Sequence, residues 1–182
     1  MKGGRIMSVM SNQPTTNVRQ QAMVSTKNDM PRESREKLVL LINARLADTL
    51  DLATQLKQAH WNVKGPSFHG LHELFDDATD DVREYVDLIA ERGVQLGGVV
   101  NGTARDAAAQ SELPEYPHDA ISGQQHADAV STALAECGKR LRAAIHEAEE
   151  LGDADTADIF TEVSRGVDKY TWFVEAHTQA DD

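Results

Sequence analysis

The sequence predicts an all-α protein in which four long helices form a bundle, with one short extra helix between the second and third long helices. Apolar residues recur every three or four positions along four long stretches, which is the spacing of a helix face. No stretch of the 182 residues shows convincing period-two alternation. Hydrophobic residues make up 40% and charged residues 26%, a composition typical of a folded globular domain.

The first two helices are predicted from their apolar spacing and from the glycines and proline that end them. The first begins after Pro31 and ends near Val63, before Gly65-Pro66. Its apolar seam runs through Val39, Ile42, Leu46, Thr49, Ala53, Leu56 and His60. Ser67 is predicted to cap a second helix that continues through residue 96 and stops at Gly97-Gly98.

The remaining helices follow from similar signals. A short helix is predicted over residues 103–110, followed by a loop with two prolines over residues 111–118. The next long helix is expected from about residue 120 to 151, with Gly152 just past its end. Asp153 or Asp155 is expected to cap the last helix. That helix repeats Ile159, Val163, Val167, Tyr170 and Val174 on one face.

Charge is distributed unevenly along the chain, which carries −12 overall. Residues 1–30 have a net charge of +3 and no sustained apolar period, so they are predicted to form a flexible basic arm. The basic residues of this arm are Lys2, Arg5, Arg19 and Lys27. The domain over residues 31–182 carries −15, which argues against a surface that coats nucleic acid.

Several classes of protein are excluded by simple features. The single cysteine, Cys137, rules out an intramolecular disulfide framework and a paired-cysteine metal site, and it is expected to be a small buried residue. No run approaches the roughly 18 apolar residues of a membrane span. Residues 6–10 are too short and too polar for the core of a secretion signal, so a cytoplasmic protein is expected.

Four residues of the second helix form the candidate site. His72, Asp76, Asp87 and Glu91 fall at about 0°, 40°, 60° and 100° on the helical wheel, so they share one face. An apolar core would not place an imidazole and three carboxylates in one stripe unless something satisfied them. A merely solvated polar face is the alternative for any single pair.

His60 strengthens the metal-binding interpretation. It lies in the apolar seam of the first helix, where a lone histidine is usually a hydrogen-bonded core residue. Next to Trp61 and opposite a carboxylate stripe, it becomes a candidate ligand. Two imidazoles and three carboxylates without a thiolate suit iron, manganese or zinc.

The spacing along the second helix divides the stripe into two half-sites. Asp76 and Asp87 lie about 16 Å apart along the helix axis, too far to share one ion with ligand distances of about 2 Å. Two copies of this helix packed antiparallel about a two-fold axis would bring His72/Asp76 of one copy opposite Asp87/Glu91 of the other. Metal binding is therefore expected to depend on assembly.

Three motif runs carry a family resemblance. They are Gln-Ala-His-Trp-Asn-Val-Lys-Gly at 58–65, Phe-x3-His-Glu-x2-Asp at 68–76, and Asp-x2-Ala-Glu-Arg-x2-Gln-Leu-Gly-Gly at 87–98. With these runs the chain resembles the DNA-protection-during-starvation (Dps) family of mini-ferritins over about residues 26–178. The resemblance implies a ferritin-like bundle, assembled from two-fold dimers into a hollow homo-dodecamer.

The resemblance also implies a function, namely oxidation of Fe²⁺ to Fe³⁺ by hydrogen peroxide and storage of ferric oxide in the shell. The ferroxidase centre would take His60, His72 and Asp76 from one subunit. Asp87 and Glu91 would come from its partner. Trp61 would be a redox-active aromatic beside the centre, with simple packing as the alternative.

Further expectations concern the last helix and the arm. By resemblance, Asp153, Asp155 and Asp158 would line a pore through which iron enters, with helix capping as the alternative. The arm would bind DNA without sequence specificity, unless it is an inert tail. The remaining histidines are expected at the surface: His69, His118, His126, His146 and His177.

Two rival functions are left open by the sequence. One is a DNA-compacting structural protein whose metal site is vestigial or filled with zinc. The other is a monomeric helical binding module with a solvated face on its second helix.

Overall fold

The computed structural model describes residues 22–179, and within that range it contains helices and no strands. Of the predicted arm, Lys2, Arg5 and Arg19 lie outside the described residues, whereas Lys27 lies within them and is exposed. The helices are α1 (Arg32–Asn62), α2 (Phe68–Gln95), α3 (Ala104–Gln110), α4 (Gly123–Glu150) and α5 (Ala154–Glu175). The all-α prediction is therefore confirmed. No helix in this range is both long and apolar enough to cross a bilayer.

The four long helices form the predicted bundle around one apolar core. α1 pairs with α2 and α4 pairs with α5, each as an antiparallel hairpin, and contacts of α1 with α4 and of α2 with α5 close the bundle. Phe75 of α2 and Phe160 of α5 are fully buried in this core, and so is Leu134 of α4. Cys137 is also buried, as predicted, and burial raises the pKa of its thiol to about 12.

The helix ends confirm most of the predicted caps. Asp153 accepts a hydrogen bond from the backbone N–H of Thr156, and Gly152 adopts a left-handed φ of +82° just before it. Ser67 stands at the predicted start of α2, but its side chain makes no capping bond. α4 begins a few residues later than predicted, because Ser122 and Gln125 form a capping box there.

The connection carrying α3 is fixed to α1 by polar contacts. The buried Asp48 accepts a hydrogen bond of 2.9 Å from the backbone N–H of Glu112, and burial raises the pKa of Asp48. Gln55 donates to the backbone carbonyl of Pro114 at 2.9 Å. These bonds hold the loop after α3 beside the carboxyl-terminal half of α1, next to the candidate site.

The end of the predicted arm packs against the bundle. The N–H of Val24 donates to the carbonyl of Gly97 at 2.8 Å, and Arg35 donates to the carbonyls of Met30 and Leu96. Gly97 has a φ of +83°, and a Cβ there would lie 2.9 Å from the Val24 carbonyl oxygen, so glycine suits this contact. The domain division at residue 30 stays a prediction, but these contacts attach residues 23–30 to the bundle.

Candidate metal centre

His60 and His72 face each other where α1 and α2 approach the turn that joins them. The Nδ1 atom of His60 lies 2.8 Å from the backbone carbonyl oxygen of His72. The Nδ1 atom of His72 lies 2.9 Å from the backbone carbonyl oxygen of His60. The two rings stack with their centroids 3.7 Å apart. Two candidate ligands from different helices are therefore held together by a reciprocal pair of backbone contacts.

These contacts determine which ring nitrogens can bind a metal. A carbonyl oxygen only accepts hydrogen bonds, so each Nδ1 carries the proton and donates it. The Nε2 atom of each neutral ring then keeps a free lone pair, which is the form in which an imidazole ligates a metal. Within residues 22–179 neither Nε2 atom has a hydrogen-bond partner.

Asp76 lies one turn after His72 on α2 and is paired with a lysine. The Lys57 ammonium makes a short ion pair with a carboxylate oxygen of Asp76, which is 42% exposed. The hydrogen bond from Lys57 holds the pKa of Asp76 below its usual range, with a smaller contribution from the nearby His60 and His72. Sequence reasoning missed Lys57, although it precedes His60 by three residues and so shares its face of α1.

The second predicted half-site is exposed and unpaired. Asp87 and Glu91 both lie at the surface of α2, and neither makes a hydrogen bond or ion pair with any described residue. Between residues 22 and 179, no three His, Cys, Asp or Glu side chains come together in a position to hold a metal. The chain thus brings His60 and His72 together but leaves these two carboxylates apart from them.

Trp61 follows His60 and is 68% exposed. It lines a small cavity of about 270 Å³ between α1 and α2, together with Lys57 and Val86. It also lines a larger cavity of about 710 Å³ beside the connection that carries α3. The indole therefore stands between the candidate site and that connection, with most of its surface free.

The three aspartates predicted near a pore differ in their surroundings. Asp153 is 3% exposed and accepts a hydrogen bond of 2.7 Å from Arg92. Burial raises the pKa of Asp153, but the bonds from Thr156 and Arg92 outweigh burial and hold that pKa below its usual value. Asp155 and Asp158 are exposed. Capping is therefore the observed role of Asp153.

One prediction about the remaining histidines is wrong. His69, His118, His146 and His177 are exposed as expected, but His126 is 1% exposed. Its Nδ1 atom lies 2.5 Å from the hydroxyl oxygen of Tyr116. His126 precedes Val130 by one turn on the apolar face of α4, and this position, rather than its residue type, determines its burial.

An antiparallel four-helix bundle with a His- and carboxylate-bearing second helix is the architecture of the ferritin-like class. The family model described as ferritin-like domain matches residues 39–182. The chain is 43% identical to the DNA protection during starvation protein of Agrobacterium fabrum strain C58, over 85% of this chain and 95% of that protein. The chain therefore belongs to the DNA-protection-during-starvation (Dps) family of ferritin-like proteins.

Solved structures are similar to this fold along most of its length. DpsA14 from Streptomyces coelicolor has a TM-score of 0.82 and 32% identity, covering 87% of this chain and 94% of that chain. The tetragonal form of Mycobacterium smegmatis Dps has a TM-score of 0.80 and 29% identity, covering 85% of this chain and 94% of that chain. The bundle and its family support a general role in iron storage and protection.

Proposed function

We propose that this protein oxidises Fe²⁺ with hydrogen peroxide at a centre shared between two subunits. The observation that carries the proposal is the reciprocal contact between His60 and His72. Each Nδ1–H donates to a backbone carbonyl oxygen of the other histidine. The Nε2 lone pair of each ring is therefore free to bind a metal next to Asp76. Imidazole nitrogens and carboxylate oxygens together suit ferrous iron, and carboxylates stabilise the more highly charged ferric product.

The remaining ligands come from a partner subunit. Asp87 and Glu91 are exposed and unpaired, and they lie too far along α2 to reach the iron held by the same chain. An antiparallel pairing of two α2 helices brings each exposed pair opposite the histidines of the other subunit, which gives two identical centres in each dimer.

The reaction consumes iron as a substrate. One hydrogen peroxide takes one electron from each of two Fe²⁺ ions and, with two protons, leaves as two water molecules. Because both electrons are removed in one event, no hydroxyl radical is released. Because the Lys57 ammonium is paired with Asp76, iron competes with this lysine for the carboxylate.

Storage and iron uptake follow from the charge of the assembled domain. Twelve copies of a domain carrying −15 would enclose a cavity that attracts cations and in which ferric oxide can accumulate. Of the three aspartates considered for a pore, Asp155 and Asp158 have exposed carboxylates that iron could reach. Asp153 instead accepts a hydrogen bond from Arg92 and caps the start of α5.

The shared centre is tested by mixing two inactive variants. His72→Ala removes one half-site and Glu91→Gln removes the other, and each pure variant should lose peroxide-dependent iron oxidation. In a mixed dimer one centre combines both defects, while the other combines the intact half of each chain. Unfolding the two variants together and refolding them should therefore restore a substantial part of the activity. Mixing His72→Ala with His60→Ala is the matched control, because every centre then lacks one histidine.

The outcomes of this experiment separate the proposal from its rivals. Activity that does not return in the first mixture, although both variants assemble, would contradict a shared centre. A wild-type protein that assembles and binds zinc but does not accelerate iron oxidation would favour a DNA-compacting protein with a zinc-filled or vestigial site. A wild-type protein that elutes at the mass of one subunit in size-exclusion chromatography would favour a monomeric binding module.

DNA binding through the arm is a second candidate function, favoured by the positive charge of residues 1–30 on an acidic domain. Because residues 23–30 pack on the bundle, the deletion that tests it should stop at residue 21. We expect this deletion to abolish retardation of DNA at low salt and to leave iron oxidation unchanged. DNA retardation that persists after the deletion would place DNA binding elsewhere. If the intact protein does not retard DNA either, the arm is an inert tail.

A further inference from the structure

Tyr116 and His126 form a hydrogen-bonded pair that the iron centre does not use. The hydroxyl oxygen of Tyr116 lies 2.5 Å from the Nδ1 atom of His126, and the rings are inclined by only 23°. His126 is 1% exposed, and Tyr116 is half-buried. With its proton on Nε2, the neutral imidazole of His126 accepts the bond from the phenol at Nδ1. The imidazole is screened from bulk water, whereas Tyr116 borders a cavity.

This pair adjoins the candidate redox-active tryptophan. Tyr116 and Trp61 line the same cavity of about 710 Å³, together with Gln58 and Asp51. The loop that carries Tyr116 is fixed to α1 by the bond from Gln55 to the Pro114 carbonyl. This bond therefore helps to fix where Tyr116 stands relative to Trp61 across the cavity.

We propose that Tyr116 and His126 act together as a proton-coupled electron donor that reduces an oxidised Trp61. The initial oxidant is a one-electron oxidant of the hydroxyl-radical class, formed when peroxide meets a single ferrous ion. It takes one electron from Trp61 and becomes hydroxide. Tyr116 then gives one electron to the Trp61 radical cation and its hydroxyl proton to His126 Nδ1, so that a tyrosyl radical and an imidazolium remain. The origin of the oxidant rests on the proposed function, and the redox role of Trp61 is the one that the family resemblance implies.

The proton transfer explains why the pair is needed. Burial raises the pKa of Tyr116 to about 12, so the phenol is not ionised beforehand and must lose its proton together with the electron. Burial also lowers the pKa of His126, although the Asn62 carbonyl acts in the opposite direction. The imidazole is thus neutral and able to accept a proton, and it tends to return that proton when the tyrosyl radical is reduced again.

The other two tyrosines lack this combination. Tyr170 donates to a carboxylate oxygen of Asp81 at 2.6 Å, but Lys169 also contacts that oxygen and disfavours its protonation. The hydroxyl of Tyr85 makes no hydrogen bond within the described part of the chain. Neither tyrosine lines the cavity that contains Trp61.

The pair is tested without iron, in full-length protein carrying Trp172→Phe so that Trp61 is the only tryptophan. A flash-generated ruthenium(III) tris-bipyridine oxidant produces the tryptophan radical, which is followed by transient absorption and electron paramagnetic resonance. We expect a tyrosyl signal to grow as the tryptophan signal decays. Tyr116→Phe should abolish this growth and prolong the tryptophan radical, whereas Tyr85→Phe should leave both signals unchanged.

A second variant separates proton acceptance from simple hydrogen bonding. His126→Gln keeps an acceptor at that position but cannot hold the proton, so the transfer should slow by about a hundredfold. Helix content and melting temperature show whether each variant is folded. An unchanged tryptophan lifetime in folded Tyr116→Phe, or unchanged transfer in folded His126→Gln, would overturn the proposal. A wild-type protein that fails to oxidise iron would instead overturn the proposed function, because the flash experiment contains no iron.

Discussion

Two adjacent charged residues of α2 differ in burial and in whether they have a partner within the chain. Glu91 is exposed and makes no hydrogen bond or ion pair with any described residue. Arg92, the next residue, is 7% exposed and donates to Thr156 at 3.0 Å and to Asp153 at 2.7 Å. One side chain is satisfied within its own chain, and its neighbour is left without a partner.

The difference follows from what each charge can stabilise. Removing Arg92 and Asp153 from water is costly, and only their mutual contacts, with those of Thr156, offset that cost. Glu91 stays hydrated, so its charge costs the folded chain little and remains available to a cation or to another subunit. On this basis, changes at the buried network should affect folding, whereas changes at the exposed pair should affect function.

The largest expected effect is on stability. Arg92→Leu leaves the buried carboxylate of Asp153 without its cation, and it should lower the free energy of unfolding by about 3–5 kcal/mol. Chemical denaturation followed by circular dichroism at a fixed protein concentration measures this loss. A loss below about 1 kcal/mol would show that the network does not hold α2 against α5.

The opposite result is expected one residue earlier. Glu91→Gln keeps the shape of the side chain but removes its charge. The free energy of unfolding should therefore change by no more than about 0.5 kcal/mol. Iron affinity and peroxide-dependent oxidation should fall by about a hundredfold or more, since loss of even an outer partner of a metal ligand costs about 10–100-fold. Iron binding measured by calorimetry and oxidation followed by absorbance would test this. Glu84→Gln, on the same helix and also exposed, is the matched control.

A pH experiment extends the comparison to His126, a third buried ionisable residue. Burial lowers its pKa in the folded chain, so below the unfolded pKa of about 6.5 the unfolded chain binds more protons. Stability should therefore fall as the pH drops from about 6.5 to the folded pKa, by at most about 1.4 kcal/mol for each unit of pH. His126→Gln should flatten this part of the curve of unfolding free energy against pH. An unchanged slope would assign the pH dependence to other groups.

The smallest effect separates two neighbouring aspartates. The carboxylate of Asp155 is 81% exposed, and it lies 3.6 Å from the Arg92 guanidinium as a solvent-screened ion pair. Asp155→Asn should therefore lower the free energy of unfolding by less than about 1 kcal/mol. Asp153→Asn, which weakens the buried network, should cost considerably more. Thermal melts of the two variants under identical conditions give the comparison. Equal costs would mean that burial does not distinguish these two carboxylates.

The helices were predictable because their ends carry local signals. Gly65-Pro66, Gly97-Gly98 and Gly152 end helices for reasons that involve only neighbouring residues. α4 begins at Gly123 rather than at about residue 120, because the capping box of Ser122 and Gln125 fixes its start and apolar periodicity does not specify a cap. Both the correct and the incorrect predictions thus depended on short stretches of chain.

The candidate site was predictable only in part. Helical spacing indicated the stripe on α2, and the structure brings His72 of that stripe against His60. The ion pair between Lys57 and Asp76 and the bond between Tyr116 and His126 join residues that are distant in sequence. Such contacts depend on how the helices pack, which apolar periodicity does not specify. The assignment of Asp87 and Glu91 to a partner stays a prediction.

Each of His60 and His72 contacts the backbone carbonyl of the other, so the orientation of both imidazoles depends on the register of α1 against α2. Sliding one helix by a single residue would break both carbonyl contacts at once and reorient both imidazoles. Lengthening the turn around Gly65 by one residue should therefore leave the helix content intact yet abolish tight iron capture. An insertion that replaces no ligand would then act as strongly as replacing one.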